Sequence, residues 1–449
     1  MDLQTRRRLF NACDPDEPIG PNDSRYVAID DTIAGARIRG GDWVTNIQDE
    51  LLLSERPLFK LLTGLPGSGK STELRRLEAA IRDQHRSVML PVHIDAEEHL
   101  DLTAAVDVVD ILATVVERTE AAVRQAEGKP EATADEQSFV TRFWTWLSET
   151  DVELKSAQFG VADAAKLTVE LRSRPNLRAR VREVVSAHLP TFVSDVHNAL
   201  TDLQSRAVAA GSAGGIVVIY DSLEKLRGTS TSYEQVLDSC ERLFAQGGRY
   251  LRLPVHVIYT VPPALRSRAV MRDMTFFPML KLRERDHTPS EVGLQVARSL
   301  VSKRVPDDTL HEQLGPEWRS HLDRLLLWSG GFPREIVRML RNIVKSQGTF
   351  TDADIDVMMK HVTSEFRDLI HTSEYGWLAR VARDKQLASD TEQERRIADR
   401  LLANGAVFRY VNGGDWWDLH PAVEAIEGIQ AALAVLRAGE RTGKGNVPS

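Results

Sequence analysis

Eight consecutive residues, Gly64-Leu65-Pro66-Gly67-Ser68-Gly69-Lys70-Ser71, have the types and spacing to hold a polyphosphate. They fit G-x-x-x-x-G-K-[ST] without a mismatch. The glycines let the backbone turn tightly, so that successive N–H groups converge on phosphate oxygens. Lys70 supplies charge for the terminal phosphates, and the Ser71 hydroxyl is suited to ligate Mg²⁺. Thr72 completes the candidate binding segment, which comprises Gly64, Pro66, Gly67, Ser68, Gly69, Lys70, Ser71 and Thr72.

A second constellation lies far downstream. Ile216-Val217-Val218-Ile219-Tyr220 is a β-branched run ending in Asp221, the pattern of a buried parallel strand with a carboxylate at its C-terminal end. That carboxylate is placed to hold Mg²⁺ through water. Glu224, three residues on, is the candidate to polarise an attacking water. Val255-His256-Val257-Ile258-Tyr259-Thr260 reads as another strand. Thr260 at its end is a candidate contact for a terminal phosphate or the attacking water; a strand-capping hydroxyl is the competing reading. Arg266, Arg268 and Arg272 follow, candidates for an arginine that stabilises transition-state charge in a neighbouring subunit.

The elements needed to position these residues are present in the pattern. Leu58–Thr63 reads as a strand entering the loop, and Thr72–Ile81 as an amphipathic helix leaving it, its N-terminus facing the phosphates. Trp43–Leu53 reads as a helix before that strand, and Tyr26–Ile29 as a short strand. Ser87–Asp95 is a further strand, in which Pro91 favours a sheet edge. A helix spans about 103–124. Phe143-Trp144-Thr145-Trp146-Leu147 suggests a packed core within an insertion, and the alternation around 152–154 and 167–171 suggests a hairpin. Arg172, Arg174, Arg178, Arg180 and Arg182 form either a solvated helix face or a contact for an acidic partner or nucleic acid. A strand over 275–282 closes this region. Helices then dominate, at about 289–303, 307–314, 317–328, 333–345 and 352–370. Gly330-Gly331-Phe332-Pro333 breaks two of them and projects Arg334 from a helix start. Helices at 377–385 and 391–404 precede strands at 406–411 and 415–419, joined by Asn412-Gly413-Gly414.

Composition sets limits. The chain has 449 residues, enough for roughly two to four domains. Its 42% hydrophobic and 27% charged content is ordinary for a globular protein, and no apolar run is long enough to span a bilayer. The first residues lack the apolar core of a secretory signal. Two cysteines exclude a disulfide framework or a cysteine metal cluster, and a cytoplasmic home is expected. A net charge of −8 weighs against a surface built wholly for nucleic acid.

Loop, acidic strand, Thr260 strand, helical region and terminal helix–helix–hairpin, in that order, resemble P-loop ATPases of the AAA+ and STAND group, including ORC-like members. Gly331-Phe332-Pro333-Arg334 resembles the lid motif that places a sensor-2 arginine on the nucleotide. Gly69-Lys70-Ser71-Thr72-Glu73-Leu74-Arg75-Arg76-Leu77 resembles bacterial ATPases found near phage-defence genes. The resemblance implies an α/β P-loop core with a parallel sheet flanked by helices, an α-helical lid and a C-terminal winged helix. The implied layout is a loosely attached segment 1–25, an ATPase core 26–285 with an insertion at 127–210, a lid 286–370, a winged-helix domain 371–436 and a flexible tail 437–449. It implies ATP with Mg²⁺, catalytic roles for Lys70, Asp221, Glu224, Thr260 and Arg334, and nucleotide contact by Arg334. It also implies a homo-oligomer or a partner effector protein, and a role in defence or signalling. Ser222-Leu223 separates Asp221 from Glu224, a spacing closer to STAND proteins that implies slow or partner-dependent turnover. A DNA-binding ATPase that regulates replication or transposition through the winged helix is the alternative. A small-molecule kinase fits the loop but not the lid and wing.

Overall fold

The computed structural model describes residues 1–30, 38–82, 89–129, 138–151, 171–229, 231–246, 248–268, 274–346, 348–387, 390–411 and 414–443. Two compact units emerge. One holds residues 44–63 and 74–276, the other 1–43, 64–73 and 277–449.

The first of these carries an α/β core. Its strands are β1 (Phe59–Thr63), β2 (Leu90–Asp95), β3 (Ile216–Asp221), β4 (His256–Val261) and β5 (Met274–Phe276). They form one parallel sheet in the order β2-β3-β4-β1-β5. Every residue of β3 and β4 is buried, which accounts for the apolar runs Ile216–Tyr220 and Val257–Tyr259 within them. β2 lies at an edge, where the missing N–H of Pro91 costs least. β5 stops at Phe276 instead of running to 282. The expected hairpin falls mostly on 152–170, outside the described residues; Leu171 opens a helical turn.

Helices Val108–Ala126, Phe139–Thr150, Pro175–Ala187 and Leu189–Ala209 build the remainder of this core. The first begins later than the pattern suggested, because Asp107 and Asp110 form a capping box there. Phe143 stacks on Phe139 and packs against Phe192, so the aromatic cluster is core. The arginine run is largely committed internally. Arg178 and Arg182 both bind the Asp110 carboxylate, and Arg180 binds Asp151 and Glu183. Arg178 is buried, so part of this stretch is an internal ion-pair network and not the solvated helix face of the first alternative.

The other unit is mainly helical. Residues 1–25, expected to be loosely attached, include a helix at Leu3–Ala12 capped by Asp2. Leu9 and Cys13 are buried in the same core as Leu280, Ile336, Leu340 and Val344. Tyr26–Ile29 is not a strand. Helices Glu291–Ser302, Asp307–Leu314, Trp318–Trp328, Pro333–Lys345 and Asp352–Leu369 follow the expected pattern closely. After them come Tyr375–Asp384, Glu392–Ala403 and an antiparallel pair, β6 (Val407–Val411) and β7 (Asp415–Leu419). Asn412 and Gly413 of their turn lie outside the described residues. The expected tail is entered by a helix, Glu427–Gly443, while 444–449 lie outside the described residues.

Candidate functional site

The loop residues and Arg334 belong to the largely helical unit. The helix Lys70–Arg82 starts at the lysine, and its first backbone hydrogen bond is Glu73 N–H to Gly69 O at 3.1 Å. The amides of Lys70, Ser71 and Thr72 therefore precede the helical ladder, as donors at the positive end of the dipole. Lys70 is 2% exposed, and its Nζ donates to Gly64 O and Leu65 O, each at 3.0 Å. The Ser68 hydroxyl is buried and has no hydrogen-bond partner among the described residues. A buried ammonium, an orphaned hydroxyl and first-turn amides form a donor set that fits a polyphosphate.

Arg334 lies against the loop. Its backbone N–H donates to Gly67 O at 3.3 Å. Gly67 has φ 89°, and a Cβ there would lie 2.7 Å from the Cβ of Arg334. Glycine is thus required both for the turn and for the arginine stem to lie on the loop. The same requirement holds just before the helix Pro333–Lys345 begins. A Cβ on Gly331 (φ 76°) would come within 1.9 Å of Leu280 O.

Beneath the loop lies a buried ionic triad. Arg39 donates through Nε and Nη2 to Asp30, at 2.6 and 2.8 Å, and through Nη2 to Glu73 at 3.1 Å. Its guanidinium stacks 4.3 Å from the Phe277 ring centroid. Arg39 is 1% exposed, and its Nη1 lies 3.9 Å from the position a Cβ of Gly69 would occupy. The triad ties the first turn of the loop helix to the chain before it.

The acidic residues belong to the α/β unit. Asp221 ends β3, is 3% exposed and accepts the Ser222 N–H at 2.7 Å. Ser222 takes a left-handed φ of 64°, which turns the chain into a 3₁₀ segment, Leu223–Lys225, carrying the buried Glu224. Thr260 fixes that turn: its Oγ1 accepts the Leu223 N–H at 2.9 Å and reaches Tyr220 O at 3.4 Å. The strand-capping reading of Thr260 is the one these bonds favour. Arg266 is exposed, with its guanidinium 5.8 Å from the Phe276 ring centroid. The Arg268 side chain and all of Arg272 lie outside the described residues.

No protein-family model matches the chain, and no curated protein sequence does. Among solved structures it is similar to the ORC2 protein of Aeropyrum pernix, determined as ADPNP and ADP complexes. The identity is 12%, over 88% of this chain and 93% of that one, with a TM-score of 0.29. A likeness that loose carries no inference about this chain.

Two features escaped the sequence. Arg39 belongs to no motif, and its partner Glu73 is 34 residues away. His93 stands on β2 beside the acidic strand, its Nε2 3.9 Å from Asp221 and its Nδ1 3.2 Å from Glu78. Burial works against its protonation, but the Glu78 and Asp221 carboxylates together raise its pKa above the usual imidazole value. The only sequence signal is one polar residue inside Val92-His93-Ile94.

Proposed function

We propose that this protein is an ATP-binding and ATP-hydrolysing switch of the AAA+/STAND kind, dependent on Mg²⁺. The observation that carries the reading is Arg334 seated on Gly67 of a complete phosphate-binding loop. A lid arginine in that position can respond to the phosphate the loop holds.

In this reading the loop amides and Lys70 bind and orient the triphosphate. Ser71 and Asp221 are hard oxygen donors suited to Mg²⁺, which when bound would neutralise charge on the phosphate oxygens. Glu224, held in its turn by Thr260, orients the attacking water and accepts its proton. Arg334 stabilises charge on the γ-phosphate and couples its presence to the lid helix. The hairpin-bearing region, read as a winged helix, passes that state to a partner effector or to a second copy of the chain. Arg266, Arg268 and Arg272 remain the candidates for an arginine acting between copies. A place in bacterial phage defence or signalling rests on resemblance of the loop segment.

Glu224→Gln tests the catalytic half. It is expected to slow turnover by about a hundredfold or more while ATP still binds. Unchanged turnover would remove Glu224 from the mechanism.

The DNA-binding alternative is favoured by one observation. Arg395 and Arg396 stand on the helix before the hairpin, 49% and 62% exposed, each 3.6 Å from the Glu392 carboxylate. Titration with duplex DNA at several salt concentrations separates the readings. A steep loss of affinity with salt supports nucleic-acid contact, and no binding supports the switch alone.

A further inference from the structure

The amino-terminal segment reaches the arginine on which the proposed switch depends. The helix Leu3–Ala12 packs on the helix Pro333–Lys345, with the Arg341 guanidinium 4.2 Å from the Phe10 ring centroid. The chain leaving it, Asp14-Pro15-Asp16, meets the basic side chains of that second helix. Asp14 Oδ1 lies 3.4 Å from Arg341 Nη1. Arg334 Nε donates to Pro15 O at 3.4 Å, and Arg334 Nη2 lies 3.2 Å from Asp16 Oδ1. Arg334 therefore presses its stem on Gly67 while its guanidinium is engaged by a carboxylate of the same chain.

A carboxylate and a phosphate oxygen compete when they call on the same N–H donor of a guanidinium, and Asp16 holds Nη2 of Arg334. Resting on the reading above, we propose that Asp16 is an internal competitor for Arg334 and so sets the preference between ATP and ADP. ADP has no γ-phosphate to claim the arginine and binds with the Asp16–Arg334 pair intact. ATP competes with Asp16 for the Nη2 donor of Arg334. The docked helix keeps the carboxylate nearby, which gives an intramolecular competitor a high effective concentration. Asp16 is 77% exposed and Arg334 33%, so the pair exchanges at small cost.

The test is equilibrium binding of ADP and of a non-hydrolysable ATP analogue, with Mg²⁺, to the whole chain and its variants. Asp16→Asn is expected to tighten the analogue about two- to fivefold and leave ADP unchanged. Asp16→Glu restores the wild-type ratio. Asp14→Asn removes the same charge from Arg341 instead of Arg334 and changes the ratio less. In the wild type, hydrogen exchange of the amides at 14 and 16–17 rises with the analogue and not with ADP. An unchanged ratio in Asp16→Asn, or an equal gain from Asp14→Asn, overturns the proposal and leaves the nucleotide site standing. A wild-type chain that binds neither nucleotide overturns the parent reading, and this inference with it.

Discussion

Arg39 shows what a single residue contributes. A guanidinium with 1% exposure is held by two carboxylates, and one of them, Glu73, stands in the first turn of the loop helix. Removing the arginine leaves two buried carboxylates without their counter-charge, which is far costlier than losing a surface pair. Arg39→Ala is expected to cost about 3–5 kcal/mol of stability, read by urea denaturation. A loss below about 1 kcal/mol would show that the triad does not anchor the helix. Legibility at this scale follows chain separation. The Gly64–Ser71 loop could be picked out because its residues are contiguous, and the helix start at Arg334 because a Gly-Gly-Phe-Pro break precedes it. Arg39, His93 and Asp16 could not, because each takes its meaning from a partner distant in sequence: Glu73, Asp221 and Arg334.

Elements were legible where local signals governed them and misread where packing did. The helices from Glu291 to Leu369 are set by amphipathy and by breakers such as Gly330-Gly331 and Pro333. The helix Leu3–Ala12 was obscured by the neighbouring prolines and charges, and it is secured by burial of Leu9 and Cys13 among residues beyond 280. The lid turn gives a direct prediction. Gly331→Ala would place a methyl within 1.9 Å of Leu280 O at a left-handed φ. It is expected to cost more than about 2 kcal/mol, seen as a lowered denaturation midpoint; a neutral effect would contradict the described turn.

The terminal helix–hairpin region carries its own pH signature. Burial first, and then the Arg338 charge, lower the His420 pKa from 6.5 to about 3. Its Nδ1 accepts the Ala422 N–H at 3.0 Å, which requires the neutral ring. The native state therefore refuses a proton that the unfolded chain takes up below about 6.5. This contribution to stability is complete above that pH and is lost as pH falls toward 3, by about 1.4 kcal/mol per unit. His420→Asn keeps a capping acceptor and is expected to flatten this slope, measured by denaturation at pH 7 and pH 5. An equal slope in both proteins would assign the acid sensitivity elsewhere.

At the scale of the whole molecule, the α/β class was legible from the buried runs of β3 and β4, and the structure adds the strand order. That order puts β4 between β1, which leads into the Gly64–Ser71 loop, and β3, which ends in Asp221. No helix of the described residues is long and apolar enough to cross a membrane. If nucleotide drives assembly with a second copy, mass in solution rises with ATP and Mg²⁺ and not with ADP. A mass indifferent to nucleotide would leave no role for an arginine supplied by another copy. Whether the Gly64–Ser71 loop holds a nucleotide is decided by calorimetric titration of Mg²⁺-ATP into the wild-type chain and its Lys70→Ala variant. Saturable binding to the wild type, weakened at least about thirtyfold in the variant, is expected. Equal affinity in the two proteins would contradict it.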